Sequence, residues 1–231
     1  MMNASEASLG PPLLRETVGG AVYRRLREAV LSGRIPAGAR INELELASSW
    51  QVSRTPIRDA LRRLEAEGLL TAVPGRGMVV PILRRSDVEE LYALREAVEG
   101  LAARRAAERA TPAFLAQLNA LIKTYGAALK QEDLAQVVAV DDALHDAVSQ
   151  MAQNRHLEDT IRTARLRVRL VHAASFRLRG RAGKTFREMA KLVAAIRARD
   201  AARAEASMRE HLASLGGDVV AAFDELPGAP G

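Results

Sequence analysis

The chain of 231 residues contains no cysteine, and only 3% of its residues are aromatic. Without cysteine it can form no disulfide framework and no thiolate metal site. No apolar run approaches the roughly 18 residues that a membrane-spanning helix needs, and no charged-then-apolar secretion signal opens the chain. These absences predict a soluble, cytoplasmic protein that does not enter a membrane.

The residues that are present favour helices. With 48% hydrophobic residues and so few aromatic ones, the composition favours helices rich in alanine and leucine over β-sheets. The length allows one large or two small domains with a substantial core. The net charge of +6 (34 − 28) attracts polyanions, but it is too modest to identify a nucleic-acid-binding protein by itself.

The segment 46–61 has the pattern of two short helices joined by a tight polar turn. Ser53 is placed as the N-cap of the second helix, where its hydroxyl is expected to accept a hydrogen bond from the next turn. Pro56 is tolerated there because the first N–H groups of a helix have no partner within it. Arg54 and Arg58 share one face, from which they can reach phosphate or guanine. This pattern predicts a helix-turn-helix that reads the major groove of DNA.

A β-hairpin is predicted directly after the second of these helices. Two short strands at 69–73 and 78–81 are joined by a tight turn with Arg76 at its tip, which is typical of a wing. Beyond Pro81 helical periodicity fills the chain. The predicted helices span 18–31, 43–50, 54–67, 87–110, 112–130, 133–151, 154–178, 182–199 and 200–223.

These elements predict a mainly α protein in which a winged helix-turn-helix precedes an all-α antiparallel bundle of about six helices. The predicted division of the chain is a disordered tail at 1–16, the winged helix-turn-helix at 17–81, a linker at 82–86, the helical ligand-sensing and dimerisation domain at 87–223, and a flexible tail at 224–231.

The first of these regions resembles the winged helix-turn-helix of GntR-type bacterial transcription regulators. The stretches that carry this resemblance are 31–43, 52–61 and 67–69. The later helices resemble the ligand-sensing FCD domain of the FadR subfamily, and six helices place it near the shorter, VanR-like branch. The marks of that domain are 91–99, Asp141 with His145, Asn154 and 195–212.

The resemblance implies a homodimeric transcription regulator, most often a repressor, that binds a pseudo-palindromic operator in double-stranded DNA. A small carboxylate effector then changes its affinity for the operator. For any single arginine the alternative is a solvated helix face. The residues that the resemblance and the motif assign to DNA are Arg40, Ser53, Arg54, Thr55, Arg58 and Arg76.

Asp141, His145 and His211 form a second group of candidate residues. Asp141 and His145 lie four residues apart on an otherwise apolar helical face, and His211 lies on the inward stripe of the last helix. Buried ionisable groups need partners or a cation, and an aspartate and a histidine at this spacing can share one metal. Where the resemblance implies a further histidine ligand, this chain has Met189, whose thioether is a poor ligand for zinc, nickel or manganese.

Three interpretations of this group follow from the residues. It is a weakened or facultative site for a divalent metal, a metal-free pocket in which the imidazoles bind the effector, or a purely structural buried pair. His156 and His172 are expected to be ordinary core or surface histidines, although His172 is an alternative source of the missing ligand.

Arg95 is the predicted anchor of the effector carboxylate. It lies beside an inward stripe, where a guanidinium needs an anion, although Glu99 can supply that anion from within the chain. Asn154 is either a pocket residue or the N-cap of the helix that it begins. Arg165 and Arg169 either add positive potential to the pocket or lie on a solvated face. The predicted effector-binding residues are Arg95, Asp141, His145, Asn154, Arg165, Arg169 and His211.

Two other classes of function are compatible with parts of this pattern. In one, the helical domain only dimerises and senses no ligand. In the other, more remote alternative, the aspartate and histidines activate water in a metal-dependent hydrolase. The sequence has no zinc-hydrolase motif, nucleophile elbow or phosphate-cradling glycine loop. We therefore expect a regulator and not an enzyme, associated with the nucleoid through DNA.

Overall fold

The structure is a computed structural model that describes residues 17–175 and 180–223, with the backbone alone over 170–175. The predicted tails at 1–16 and 224–231 lie outside these residues. Over the described part of the chain, nine helices and one two-stranded hairpin are present. The predicted mainly α architecture, with a hairpin directly after the helix-turn-helix, is therefore confirmed.

All nine predicted helices are present, and the ends that lie within the described residues differ from the predicted ends by only a few residues. The predicted end of the seventh helix, at residue 178, lies outside the described residues. We use the name head for residues 17–81 and, after its predicted role, the name sensor for residues 87–223. In chain order the elements are α1 (Val18–Leu31), α2 (Glu43–Trp50), α3 (Arg54–Ala66), β1 (Thr71–Val73), β2 (Gly77–Val79), α4 (Arg85–Arg109), α5 (Pro112–Lys130), α6 (Leu134–Met151), α7 (Arg155–Ser175), α8 (Arg181–Arg197) and α9 (Ala201–Ala221).

The head has its own core, in which the apolar stripes of α1 and α3 face each other. Leu26 of α1 and Ile57, Leu61 and Leu64 of α3 are almost completely buried there. Burial of side chains of this size contributes roughly 1.5–3 kcal/mol each. Trp50, at the end of α2, packs on this core, and the Arg25 guanidinium lies 4.7 Å from the centroid of its ring.

The hairpin is shorter than the sequence predicts at its first strand. The N–H groups of Leu69 and Leu70 donate to the carbonyl of Leu64, 2.9 and 3.3 Å away, so these residues close the end of α3. Gly68 permits this closure because its φ is +74°, a conformation that favours glycine. The antiparallel pairing then runs from Thr71 opposite Val79 to the turn that carries Arg76.

The sensor is a bundle in which α4 packs against α9, α7, α6 and α8. Its core residues include Leu118, Leu144, Leu192 and Leu212, all fully buried. Helices α4 and α9 approach closely at Gly216, where an added Cβ would lie 2.9 Å from Tyr92 Cβ. No helix among the described residues is both long and apolar enough to span a bilayer.

The head contacts the sensor through α7. Leu166 of α7 is buried in the hydrophobic core of the head, although it belongs to the sensor in sequence. Gly68 of the head lies so close to α7 that an added Cβ would be 2.7 Å from Arg167 Nε. We call this contact, formed by Leu166, Arg167 and Gly68, the junction.

Candidate functional site

The surface at the start of α3 carries the polar residues predicted to meet DNA. Ser53, Arg54, Thr55 and Arg58 are all exposed there. The two guanidinium groups are held by one carboxylate, because Glu43 Oε2 accepts from Arg54 Nη2 at 3.3 Å and from Arg58 Nε at 2.9 Å. The hydrogen bond from Arg58, together with Arg54, lowers the pKa of Glu43 below its ordinary value.

Ser53 occupies the N-cap position of α3, but its side chain makes no capping hydrogen bond. The expectation that its hydroxyl accepts one is therefore wrong. An N-cap oxygen accepts from the second or third N–H of the helix, and Pro56 stands third and has no N–H. In contrast, Thr17 and Asp200 cap their helices by accepting from the third N–H.

Two further arginines that are predicted to meet DNA, Arg40 and Arg76, are exposed elsewhere on the head. Arg40 is exposed and forms a β-bridge with Val79 of the hairpin. Arg76 is exposed at the hairpin turn, where its N–H donates to the carbonyl of Val73 at 3.0 Å. The start of α3 and the wing can therefore present separate basic side chains to a polyanion.

Asp141 and His145 of α6 and His211 of α9 meet in the centre of the sensor. All three side chains are buried, and one donor atom from each lies within 4.8 Å of the others. The two imidazole rings are 5.4 Å apart between centroids. The juxtaposition that periodicity and resemblance predict is thus present, and we call these three residues the central triad.

Each histidine of the central triad is held from behind by a carboxylate. His145 Nδ1 is 2.5 Å from Glu99 Oε2, and Glu99 Oε1 accepts from Arg95 Nε at 2.7 Å. Burial raises the pKa of Glu99, but Arg95 and His145 together lower it by more, so the net pKa is below the ordinary value and this carboxyl is held ionised. The predicted internal pairing of Arg95 with Glu99 is therefore present.

A matching arrangement holds His211. Its Nδ1 is 2.9 Å from Glu188 Oε2, and Arg181 Nη2 donates to the same carboxylate oxygen. Ser214 donates to the other oxygen of Glu188 at 2.7 Å. Burial lowers the pKa of His211, which favours the neutral ring despite the neighbouring carboxylate. Two arginine–glutamate–histidine relays therefore converge on Asp141.

The donor set of the central triad fits a divalent metal ion. Because the carboxylates occupy both Nδ1 atoms, the Nε2 atoms of His145 and His211 face the interior. Both are buried and have no hydrogen-bond partner within the described residues. Carboxylates that orient metal-binding histidines through the second ring nitrogen are a regular feature of such sites. One carboxylate and two imidazoles are ligands that zinc, nickel and manganese accept.

Met189 remains the point at which this chain departs from the four-ligand pattern implied by the resemblance. Its side chain is fully buried in the sensor core. The residue before it, Glu188, binds His211 from the side opposite the interior, so it supports a ligand. The side chain of His172, the alternative source of a further ligand, lies outside the described residues.

Further polar atoms of the sensor interior are buried without a hydrogen-bond partner among the described residues. They include Arg95 Nη1, Tyr92 Oη and Tyr125 Oη, besides the hydroxyl oxygens of Ser149 and Ser207. Burial raises the pKa of Tyr92 to about 12, and it also raises that of Tyr125, so both phenols are kept as neutral donors. Buried polar atoms are normally hydrogen-bonded. The phenol hydroxyls of Tyr92 and Tyr125 and one guanidinium N–H of Arg95 are thus available to an anion.

A small cavity between α8 and α9 reaches His211, one of the three residues of the central triad. Its volume is about 130 Å³, and its lining includes His211, Glu188, Lys191 and Ser207. Pockets for drug-sized ligands usually measure about 300–1,000 Å³. This cavity therefore suits only a small molecule.

Arg165 and Arg169 of α7 face a different part of the sensor. Arg165 donates to Asp142 Oδ1 at 2.8 Å and to Asp146, and Arg169 Nη2 is 3.0 Å from Asp142 Oδ2. They line a cleft of about 610 Å³ between α6 and α7, which Arg27 of the head also lines. Both side chains tie α7 to α6 through Asp142, and the positive charge of Arg165 is one of the causes that lower the pKa of Glu99.

Asn154 is the N-cap of α7, since its side-chain oxygen accepts from the N–H of Leu157 at 3.2 Å. The N-cap interpretation of this residue is confirmed. His156 is exposed, in keeping with an ordinary surface histidine.

Sequence reasoning missed several residues of this site. Arg181, the partner of Glu188, is the clearest case, and its signal was an arginine on the buried stripe that continues with Thr185, Met189 and Ile196 of α8. Tyr92 could have been found in the same way on the buried face of α4. Such a stripe needs a partner for each polar group, but it does not say which helix supplies it.

Two family models match the chain. The model described as "Bacterial regulatory proteins, gntR family" matches residues 19–80, and the model described as "FCD domain" matches residues 90–214. The first match contains the whole helix-turn-helix and hairpin. The second contains the central triad and both relays.

Several curated proteins are similar to this chain. The Nta operon transcriptional regulator of Aminobacter aminovorans is 36% identical over 137 residues, which are 57% of this chain and 62% of that protein. The chain thus spans about three fifths of the length of that relative. The HTH-type transcriptional repressor RspR of Escherichia coli (strain K12) is 28% identical over 210 residues, 91% of each chain.

A solved structure has the same fold. The structure of E. coli McbR/YncC superimposes with a TM-score of 0.72, over 91% of this chain and 99% of that one. The two sequences are 23% identical.

Proposed function

The chain belongs to the GntR family of bacterial regulatory proteins and contains an FCD domain, and from this premise we propose that it is a ligand-responsive, homodimeric repressor of transcription. Its curated relatives are named transcriptional regulators, and two of them are named as repressors, one of these as probable. In this proposal the head binds a pseudo-palindromic operator in the cytoplasm, and a small carboxylate bound in the sensor changes that affinity.

The head contributes three kinds of contact in this proposal. Arg54 and Arg58 leave Glu43 and bind guanine or phosphate, where a bidentate arginine discriminates against a wrong base by roughly 1–3 kcal/mol. The Ser53 hydroxyl makes no capping hydrogen bond within the protein, so it is available for a hydrogen bond to the DNA. Arg76 on the wing adds phosphate contacts, which raise affinity without regard to sequence.

The central triad and its surroundings bind the effector. Asp141, His145 and His211 would hold a divalent cation, which would supply a Lewis-acid attachment point for a carboxylate oxygen. Arg95 Nη1 and Tyr92 Oη then donate hydrogen bonds to the same anion. The observation that carries this assignment is the pair of relays, which fixes both imidazoles with Nε2 towards the interior. A purely structural buried pair would need no such orientation.

The effector site is connected to the head through α6 and α7. Asp141 and His145 are each followed directly by an aspartate, and these two aspartates hold Arg165. Leu166, the next residue along α7, is buried in the core of the head. A shift of α6 that accompanies ligation of its inner face is therefore transmitted to the junction. The size of the response is set by the difference in effector affinity between the two arrangements.

Metal binding is the first test of this proposal. Titration calorimetry with Zn²⁺, Ni²⁺ and Mn²⁺ on dialysed protein should show one site per chain, and His211→Ala should lose it. The matched control is His156→Ala, which removes an exposed histidine and should bind metal like the wild type. Equal metal binding by both variants would contradict the assignment.

DNA binding and effector response are tested together. Fluorescence anisotropy should show that Arg54→Ala loses binding to an operator selected from a pool of random-sequence duplexes by the wild type. Arg203→Ala, which removes an exposed arginine on α9, should retain it. A thermal-shift screen of small mono- and dicarboxylates, with and without metal, should then find ligands that alter this affinity. If DNA binding persists and no carboxylate changes it, the helical domain only dimerises.

A further inference from the structure

Helix α4 exposes an apolar stripe on the face that points away from the sensor core. Leu94 and Leu101 are 43% and 42% exposed. They lie seven residues apart, which is two helical turns, so they share one face. Ala93 and Ala97 are exposed on the same face. We call these four residues the α4 stripe. Small residues between the two leucines allow another helix to approach closely.

A shallow groove continues the α4 stripe towards α7. It has a volume of about 350 Å³, and Leu91 and Leu94 form its wall on α4. Its wall on α7 consists of Thr160, Thr163 and Ala164 together with the charged residues Asp159 and Arg167. A leucine that protrudes from another chain can be received in a groove of this size. The chain itself offers such a protruding leucine in Leu101.

The charges that flank the α4 stripe are arranged in a self-complementary way. Glu90 precedes Ala97 by seven residues, and Arg104 follows it by seven, so all three lie on one exposed face. Two copies of α4 that cross in antiparallel fashion at Ala97 place Glu90 of each copy beside Arg104 of the other. A parallel crossing would instead oppose like charges. Arg104 can make this exchange because its present partners at 3.3 Å are the exposed Glu108 and the partly exposed Glu205, and ion pairs near the surface contribute little.

We propose that the α4 stripe is the surface on which a second copy of this chain docks, antiparallel and about a two-fold axis near Ala97. This inference rests on the homodimer of the proposed function and names the face that forms it. An isologous interface uses the same patch twice, so Leu101 of each copy lies beside Leu94 and the groove of the other. The occupant is a second copy because the charges of the stripe complement themselves.

A leucine-to-arginine substitution tests the surface. Sedimentation equilibrium of the full chain should give a dimer for the wild type, and Leu101→Arg should raise the dimer dissociation constant at least 100-fold. The matched control is Leu134→Arg on α6, since Leu134 is also 42% exposed. This control should dimerise like the wild type. Circular dichroism verifies that both variants keep their helices.

Charge reversal separates docking from a local structural role. Glu90→Arg and Arg104→Glu should each weaken the dimer about tenfold or more, and the double variant should regain most of the affinity, because each copy again faces the opposite charge. A dimer that is indifferent to Leu101→Arg, or that charge reversal fails to rescue, overturns this surface and leaves the proposed regulator standing. A monomeric wild type overturns the homodimer and the surface together.

Discussion

Glu43 holds two of the predicted DNA-contacting arginines, and its removal gives a quantitative test of the head. The side chains of Arg54 and Arg58 are about half exposed. Exposed ion pairs contribute roughly 0.2–1 kcal/mol each, so two of them together cost about 0.4–2 kcal/mol when DNA displaces Glu43. Glu43→Gln removes most of that cost. Because about 1.4 kcal/mol corresponds to a tenfold change in affinity, the affinity for non-specific duplex DNA should rise about 2- to 30-fold.

Affinity for the operator should rise less than affinity for non-specific DNA. Glu43 fixes the position of both guanidinium groups, and this order favours contacts with base edges. When the carboxylate is lost, the arginines are freer to bind any phosphate. The ratio of specific to non-specific affinity should therefore fall. The slope of log affinity against log salt should become steeper by about 0.9 for each additional phosphate contact.

The assay is fluorescence anisotropy of a random-sequence duplex over a series of salt concentrations. Glu45→Gln is the matched control, because Glu45 is an exposed neighbour on α2 and its loss changes the net charge equally. An equal gain of affinity for random-sequence DNA in both variants would mean that the net charge of the head sets this affinity. Release of Arg54 and Arg58 from Glu43 would then not be the cause. A loss of non-specific affinity in Glu43→Gln would refute the reasoning outright.

Three further outcomes follow from the sensor. Gly216→Ala should cost about 1–3 kcal/mol of unfolding free energy, because its Cβ is overpacked against Tyr92. Gly217→Ala should instead stabilise α9 by up to about 1 kcal/mol, because its Cβ meets open space. Urea unfolding midpoints that are the same for the two variants would contradict the close approach of α4 and α9 at Gly216. Glu188→Gln should weaken metal binding about 10- to 100-fold, as measured by competition with a chromophoric chelator, and unchanged affinity would exclude its supporting role. The pKa of Glu99 is lowered in the folded state, so the stability that its carboxylate contributes is complete above its ordinary pKa of about 4.3 and is lost as the pH falls towards the folded value. In metal-free protein, Glu99→Gln should therefore flatten the acid side of the plot of unfolding free energy against pH. Parallel plots for the variant and the wild type would show that Glu99 does not contribute.

Much of the fold could be predicted from the sequence because the signals are local. The helix periods, the polar turn before Arg54 and the glycine-rich hairpin turn depend on neighbours within a few residues. The wrong expectation at Ser53 also concerned local residues. It could have been avoided by noting that Pro56 lacks an N–H that a capping hydroxyl would bind. The prediction that the strand begins at residue 69 failed because the end of α3 competes for the same residues.

The site was less predictable because it depends on contacts between helices. Spacing places Asp141 and His145 on one face and suggests Glu99 for Arg95. It does not indicate that Glu99 also binds His145, because those residues are 46 positions apart. The pairing of Arg165 with α6 could not be predicted for the same reason. Spacing along α7 alone places this arginine on a solvated face, and its partners Asp142 and Asp146 lie on a different helix.

The chain has a single tryptophan, and its place in the head has a practical consequence. Trp50 packs on the head core with the Arg25 guanidinium over its ring, so its emission reports on the head, whereas the sensor contributes only tyrosine and phenylalanine to the signal. Unlabelled protein therefore carries an optical probe on one side of the junction and the proposed effector site on the other. Any change in tryptophan emission on adding a sensor ligand is a direct record of communication between them, obtained without DNA, dye or engineered residue.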